Sequence, residues 1–255
     1  MTNHDSNDLN YDRMRLHELA CRSAARPIAE ALQNGQCPAD RAFDRFLPDE
    51  LRIISEQYWT PLMVARRAAA WLDDLHVHTV VDIGSGAGKF CVAAALAGSC
   101  HFIGLEQRPQ LVETARALAR VFAVDDRVSF VEGVLGDIPT PVAEAYYLYN
   151  PFGEYMFGST HRLEKVTVGR DRYDRDVAGV QRLLRNARVG TCVITYNGFG
   201  GQMPSGYRQL RVDRTMRNTL RLWRKEHKCG GDRRRAIRSI GSARAAPARR
   251  DGFDR

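Results

Sequence analysis

The sequence predicts an α/β fold: a mostly parallel, doubly wound sheet with helices ahead of it and an antiparallel hairpin at its end. Two observations predict it. Short β-branched runs alternate with longer segments of helical period, and the first of those runs ends in a cluster of glycines. Alternation at this spacing requires right-handed crossovers, which set parallel strands side by side and cover both faces with helices.

In chain order, residues 8–34 carry Leu9, Met14, Leu16, Leu19, Ala20, Ile28, Ala31 and Leu32 at three- and four-residue spacings. These spacings predict one or two amphipathic helices interrupted at Pro27. Thr60-Pro61 is a good helix start, and Leu62, Val64, Ala65, Ala68, Ala69, Trp71 and Leu72 supply the buried face of that helix. The period then changes to that of strands. TVVDIG, CHFIGLE, RVSFVEG, AYYLYNPF and GTCVITYN read as five strands, separated by the helical AGKFCVAAALA, PQLVETARALARVFA and RYDRDVAGVQRLLRNA. YRQLRV and TLRLWRK then have the character of an antiparallel edge pair. The expected organisation is an N-terminal helical extension over 1–54, a catalytic-sized domain over 55–225 and a tail over 226–255.

A chain of 255 residues, 44% of them hydrophobic, can bury one substantial core. The polar, acidic start has no basic-then-apolar order, and VAAALA is too short to span a bilayer, so a soluble, cytoplasmic chain without a membrane partner is expected. Six cysteines without a CxxC pair and seven histidines without ligand spacing suggest neither a disulfide framework nor a metal site. The net charge of +8 is unevenly spread: 15 Lys/Arg stand against 5 Asp/Glu from Arg211 onward, leaving 23 against 25 before it. The basicity therefore belongs to a Gly/Arg-rich tail that is expected to be disordered beyond about Lys228. Such a tail suits non-specific contact with an acidic partner, or a solvated role without one.

The sharpest motif is Asp82-Ile83-Gly84-Ser85-Gly86-Ala87-Gly88, where a buried strand turns into a helix. Glycines there let the backbone take positive φ and approach a ligand, while the helix behind presents unpaired N–H groups. A phosphate-binding P-loop fails at Ile83 and Phe90, and a dinucleotide fingerprint fails because the third glycine falls one residue early. An acid two residues before G-x-G-x-G resembles motif I of the class I, Rossmann-like methyltransferases. The chain is similar to bacterial methyltransferase-domain proteins with WTP, DIGSG and NPF segments in this order.

That resemblance implies S-adenosyl-L-methionine as cofactor, with Gly84, Ser85, Gly86 and Gly88 against its methionine and ribose parts and Asp82 at its amino-acid end. A carboxylate suits a cofactor that carries a cationic sulfonium and ammonium. Glu106, closing the second strand, matches the acid that accepts both ribose hydroxyls. The family often places an Asp after the third strand for the adenine amino group; Val134 stands there, and Asp137 is the candidate three residues on.

On the substrate side, Gln57-Tyr58-Trp59-Thr60-Pro61 is similar to the Q-[FY]-x-T-P segment of adenine amino-group methyltransferases, which makes Tyr58 and Thr60 cofactor contacts. Tyr149-Asn150-Pro151-Phe152-Gly153-Glu154 is similar to the [DN]-P-P-[FY] motif of amino-methyltransferases, without its second proline. It is also loosely similar to the N-x-F turn of non-SET histone-lysine methyltransferases. Asn150 is therefore a candidate for both the cofactor and the acceptor, and Glu154 for orienting the acceptor and taking its proton. Tyr196-Asn197-Gly198-Phe199-Gly200 is a further candidate wall or a plain turn. The expected reaction moves the methyl to an amine nitrogen of a protein or nucleobase. Alternatives are a small metabolite as acceptor, or an inactive binding module that keeps the fold.

Overall fold

The computed structural model describes residues 3–152 and 170–227. Five runs form parallel strands: β1 (Thr79–Ile83), β2 (His101–Glu106), β3 (Val128–Glu132), β4 (Ala145–Leu148) and β5 (Cys192–Tyr196). The closing hairpin adds β6 (Tyr207–Asp213) and β7 (Leu220–Lys225), in the order β3-β2-β1-β4-β5-β7-β6. β7 runs antiparallel to β5 in the register Ile194↔Leu222, and β6 pairs antiparallel with β7 across an irregularity between Gln209 and Arg211. The mostly parallel sheet with its antiparallel end is the expected Rossmann-like architecture.

The apolar residues divide between two cores because successive strand side chains point to opposite faces. One face carries Val80, Phe102, Phe130, Ala145, Tyr147 and Ile194. It is covered by α5 (Leu62–Asp73), α6 (Lys89–Ala97) and α7 (Pro109–Val121), with α1 (Asn3–Gln33) packed across the outside of α6 and α7. α6 is buried from Lys89 to Leu96, which is why its sequence shows no polar face. The other face carries Val81, Ile83, Leu105, Leu148 and Val193 beneath α8 (Arg170–Asn186), whose Val180 and Leu184 reach the same core.

One expectation needs correction. α1 does not break at Pro27 but runs unbroken through it. A proline inside a helix costs on the order of 3 kcal/mol. Burial of Ala25, Ile28 and Leu32 on either side of it works against that cost. Between α1 and α5 lie three short helices, α2 (Asp40–Asp44), α3 (Asp49–Ile53) and α4 (Ser55–Tyr58). Phe43 of α2 stacks on Phe122 at the end of α7, with ring centroids 4.4 Å apart, so residues assigned to the extension share the core of the sheet. Of the expected tail, Glu226 and His227 are described; the remainder lies outside the described residues.

Candidate functional site

The chain builds β1, β2 and β3 outward in one direction and β4 and β5 in the other, so the sheet reverses its order between β1 and β4. The crevice at the carboxyl ends of those two strands is where open α/β sheets bind ligands. The glycine turn leaves β1 there, and Tyr149 to Phe152 leaves β4.

The turn folds onto the end of β2. Gly84 N and Ser85 N donate to Leu105 O at 2.8 and 3.0 Å, and Gly86 N donates to Glu106 Oε2 at 3.0 Å. The other carboxylate oxygen of Glu106 accepts from Arg108 N and Nε at 3.0 and 2.8 Å. Glu106 thereby fixes the turn while retaining acceptor capacity, since an ionised carboxylate offers about four lone-pair directions. Gly86 has φ +54°, and a Cβ placed on it would collide with the Trp59 ring. Gly84 has φ +76°, and a Cβ there would lie 2.9 Å from Pro151 Cβ. Glycine is therefore required at both places by backbone sign and by a close neighbour.

Gly84 lines two compartments, and Pro151 lines the first of them. The first holds about 400 Å³ and is lined by Leu105, Glu106, Gln107, Val134, Phe152 and Asp176, among others. The second holds about 300 Å³, with Tyr58, Asp82, Ser85, Lys89 and Tyr149 among its walls.

Asp82 is 3% exposed and accepts from the Cys91 thiol at 3.4 Å. Burial pushes its carboxyl up to about 7, opposed by the Cys91 hydrogen bond and reinforced by the charge of Glu106. Among the described residues no cation pairs with Asp82, and a buried carboxylate so placed gains most from a ligand that brings a positive charge. Ser85 Oγ is buried with no hydrogen-bond partner among the described residues, a second polar atom in the compartment with spare capacity. Asp82, Glu106 and the glycine turn thus fit a cationic nucleoside: a carboxylate for its ammonium, another for its vicinal hydroxyls, and a backbone turn open to close approach.

The remaining expected residues fall in and around this crevice. Tyr58 and Thr60 line the Asp82 compartment, with Thr60 Oγ1 and the Tyr147 hydroxyl 2.9 Å apart. Trp59 lies over the turn and donates from Nε1 to Leu51 O at 3.0 Å. Gly88, φ +78°, caps α6 behind the turn. Asn150 lines neither compartment. Its backbone has φ +37° and its N–H donates to Gly198 O at 2.9 Å, so the turn after β5 clamps the NPF segment. Asp137 is exposed and absent from the Glu106 compartment, while Val134 lines it. Glu154 lies outside the described residues.

Sequence reading missed two features. Lys89, the residue after the third glycine of the turn, is 2% exposed and lies 2.7 Å from both Asp40 and Asp44. It also donates to Ser55 Oγ at 3.3 Å, which ties α2 and α4 to the turn. Asp176 of α8 lines the Glu106 compartment, yet its segment shows only helical periodicity. Among the described residues no group of His, Cys, Asp and Glu is arranged to hold a metal, and no helix is long and apolar enough to cross a membrane.

Sheet order and the glycine turn at the point of reversal define a Rossmann-like, doubly wound α/β fold. Residues 76–147, which run from just before β1 into β4, match the family model described as "Methyltransferase domain". Protein arginine N-methyltransferase 1 of Schizosaccharomyces pombe is 28% identical over 94 residues, which cover 37% of this chain and 27% of that protein. The ribosomal protein L11 methyltransferase of Herpetosiphon aurantiacus is 39% identical over 61 residues, covering 24% of this chain and 19% of that one. The chain therefore spans about a quarter or less of the length of these curated relatives. Among solved structures, the O-methyltransferase from Bacillus cereus in complex with SAH superposes with a TM-score of 0.50 at 10% identity. That match covers 78% of this chain and 97% of the other.

Proposed function

We propose that this protein is an S-adenosylmethionine-dependent methyltransferase acting on an amine nitrogen. The observation that carries the reading is the glycine turn held between two buried carboxylates at the point where the sheet reverses its order. When bound, S-adenosylmethionine supplies an electrophilic methyl group on a sulfonium. Asp82 faces the ammonium end and Glu106 the ribose hydroxyls, while the Tyr58 and Trp59 segment closes the methionine side. Asn150 and the NPF backbone, clamped by Gly198, stand at the end of β4 where an acceptor enters. In-line displacement needs donor and acceptor held in register more than it needs a strong base, so the chain contributes mainly orientation. Glu154 is proposed to help take the proton that leaves the nitrogen.

The acceptor nitrogen is proposed to be that of a protein side chain. The names of the curated relatives, a protein arginine N-methyltransferase and a ribosomal protein methyltransferase, support protein over nucleobase. A slight negative balance before Arg211 gives a nucleic-acid duplex little to hold outside the basic end. Incubating the protein with methyl-labelled S-adenosylmethionine and fractionated cell extract tests the reading. Label in acid-stable protein is expected. Label confined to nucleic acid or small molecules would overturn the acceptor class, and no label together with no calorimetric binding would overturn the enzyme.

A further inference from the structure

The connection from β3 to β4 contains no helix. Residues 133–144 make turns and bends, with an isolated bridge between Leu135 and Ile138. The sheet face near β2 and β3 therefore has no cover from its own crossover, and α8, which enters only after β4, reaches over it. Leu135 and Ile138 pack into the same core as Val177, Val180 and Leu184 of α8. One consequence is that Asp176 is 7% exposed and lines the compartment that holds Glu106.

Asp176 is paired with Arg172 one turn earlier on α8, and as a carboxylate it retains lone pairs for a further donor. Arg172 Nε lies 3.6 Å from Asp176 Oδ2, while another nitrogen of the same guanidinium donates to Gln107 Oε1 at 2.9 Å. The side chains of α8 and of the residue after Glu106 are thus fixed against each other. Around Asp176 the compartment combines apolar walls from Ile83, Leu105, Val134, Leu135 and Phe152 with the polar Glu106, Gln107 and Arg108, the mixture a heterocyclic base would meet. A buried ionised carboxylate can only accept hydrogen bonds, so it calls for a donor on the ligand. The donors of S-adenosylmethionine are its ammonium, its ribose hydroxyls and the 6-amino group of its base. Asp82 stands at the first and Glu106 at the second, which leaves the amino group for the remaining acid.

We propose that Asp176 is the base-reading residue of the nucleoside compartment, accepting a hydrogen bond from the exocyclic amine of a 6-aminopurine. This rests on the methyltransferase reading and assigns to a helix after β4 a contact that sequence reasoning placed after β3, at Val134 or Asp137. A 6-oxopurine presents an acceptor at the same position, which sets two acceptors face to face and forfeits that hydrogen bond.

The test is calorimetric titration of the full chain with S-adenosyl-L-homocysteine and with S-inosyl-L-homocysteine, its 6-oxo counterpart. The unaltered protein should favour the amino compound by about 10- to 100-fold, the range expected for a hydrogen bond to a charged group. Asp176→Asn, nearly identical in shape but able to donate, should bring the two affinities within a few-fold or invert them. Asp137→Asn should leave the preference intact. Equal affinities in the unaltered protein, or a preference unchanged by Asp176→Asn and lost in Asp137→Asn, would overturn Asp176 while leaving the methyltransferase reading standing. Failure of the unaltered protein to bind either nucleoside would overturn both.

Discussion

The Lys89 ammonium and the Asp44 carboxylate meet at 2.7 Å with both side chains buried, one at the start of α6 behind the glycine turn and the other in α2. This pair, extended by Asp40 and Ser55, makes the N-terminal segment a structural support of the cofactor crevice. Asp40 serves twice, since its Oδ1 also accepts from Leu62 N at 2.9 Å, at the start of α5.

Removing one partner of a buried pair leaves the other charged and dry. Lys89→Met is expected to destabilise the protein by about 3–5 kcal/mol, read from urea unfolding midpoints. Lys89→Met combined with Asp44→Leu should recover part of that loss, because the orphaned charge goes with it. A single variant as stable as the unaltered protein would show that the pair carries no structural weight.

Asp82 links stability and binding to pH in opposite directions. In an unfolded chain an aspartate ionises near pH 3.9. In the folded protein Asp82 does so only near 7. Between these values the folded state keeps a proton that the unfolded chain has lost. Ligand-free stability should therefore fall as pH rises from about 4 to about 7 and level off above, and Asp82→Asn should flatten this decline in denaturant melts taken across that interval. Affinity for the cationic cofactor should rise over pH 6–8 as Asp82 ionises. Calorimetry in buffers of different ionisation enthalpy should show proton release on binding near neutral pH.

Gly86→Val forces a β-branched residue into φ +54° and drives its Cβ into the Trp59 ring. Binding of S-adenosyl-L-homocysteine should be lost. Trp59→Ala removes the clash but not the backbone strain, so adding it to Gly86→Val should not restore binding. Titration of both variants distinguishes strain in the turn from simple blockage.

Glu106→Gln keeps the shape of a residue whose two oxygens hold Gly86 N and Arg108. Losing charge-assisted hydrogen bonds should cost about 1.5–3 kcal/mol, seen as a lower unfolding midpoint before any ligand is added. If affinity fell while ligand-free stability stayed level, Glu106 would serve the ligand alone.

Much of this was legible in the residues themselves. β-branched runs such as TVVDI and CVITY, and the strongly periodic PQLVETARALARV, specify their elements through side-chain period and local sterics. The Gly84–Gly88 turn was legible because its function lies in the backbone, and only glycine accepts positive φ freely. α1 was misjudged at Pro27, since the burial of Ala25, Ile28 and Leu32 that works against its cost involves residues far along the chain. Lys89 and Asp176 carried no local signal; a buried lysine and a surface lysine are written with the same letter.

The sequence by itself determined the strand and helix order, the glycine turn, and the acids Asp82 and Glu106 beside it. The elements and the turn follow from interactions between near neighbours in the chain, whereas the two acids were marked by family resemblance and Glu106 meets the turn only through the fold. Only the tertiary structure decided that Lys89 pairs with Asp40 and Asp44, that Trp59 covers Gly86, that Pro151 sits beside Gly84, and that Asp176 rather than Asp137 lines the crevice. Those contacts join residues that stand far apart in the chain. Their meeting is fixed by how helices pack on the two faces of the sheet, a property of the whole core that no short stretch of sequence contains.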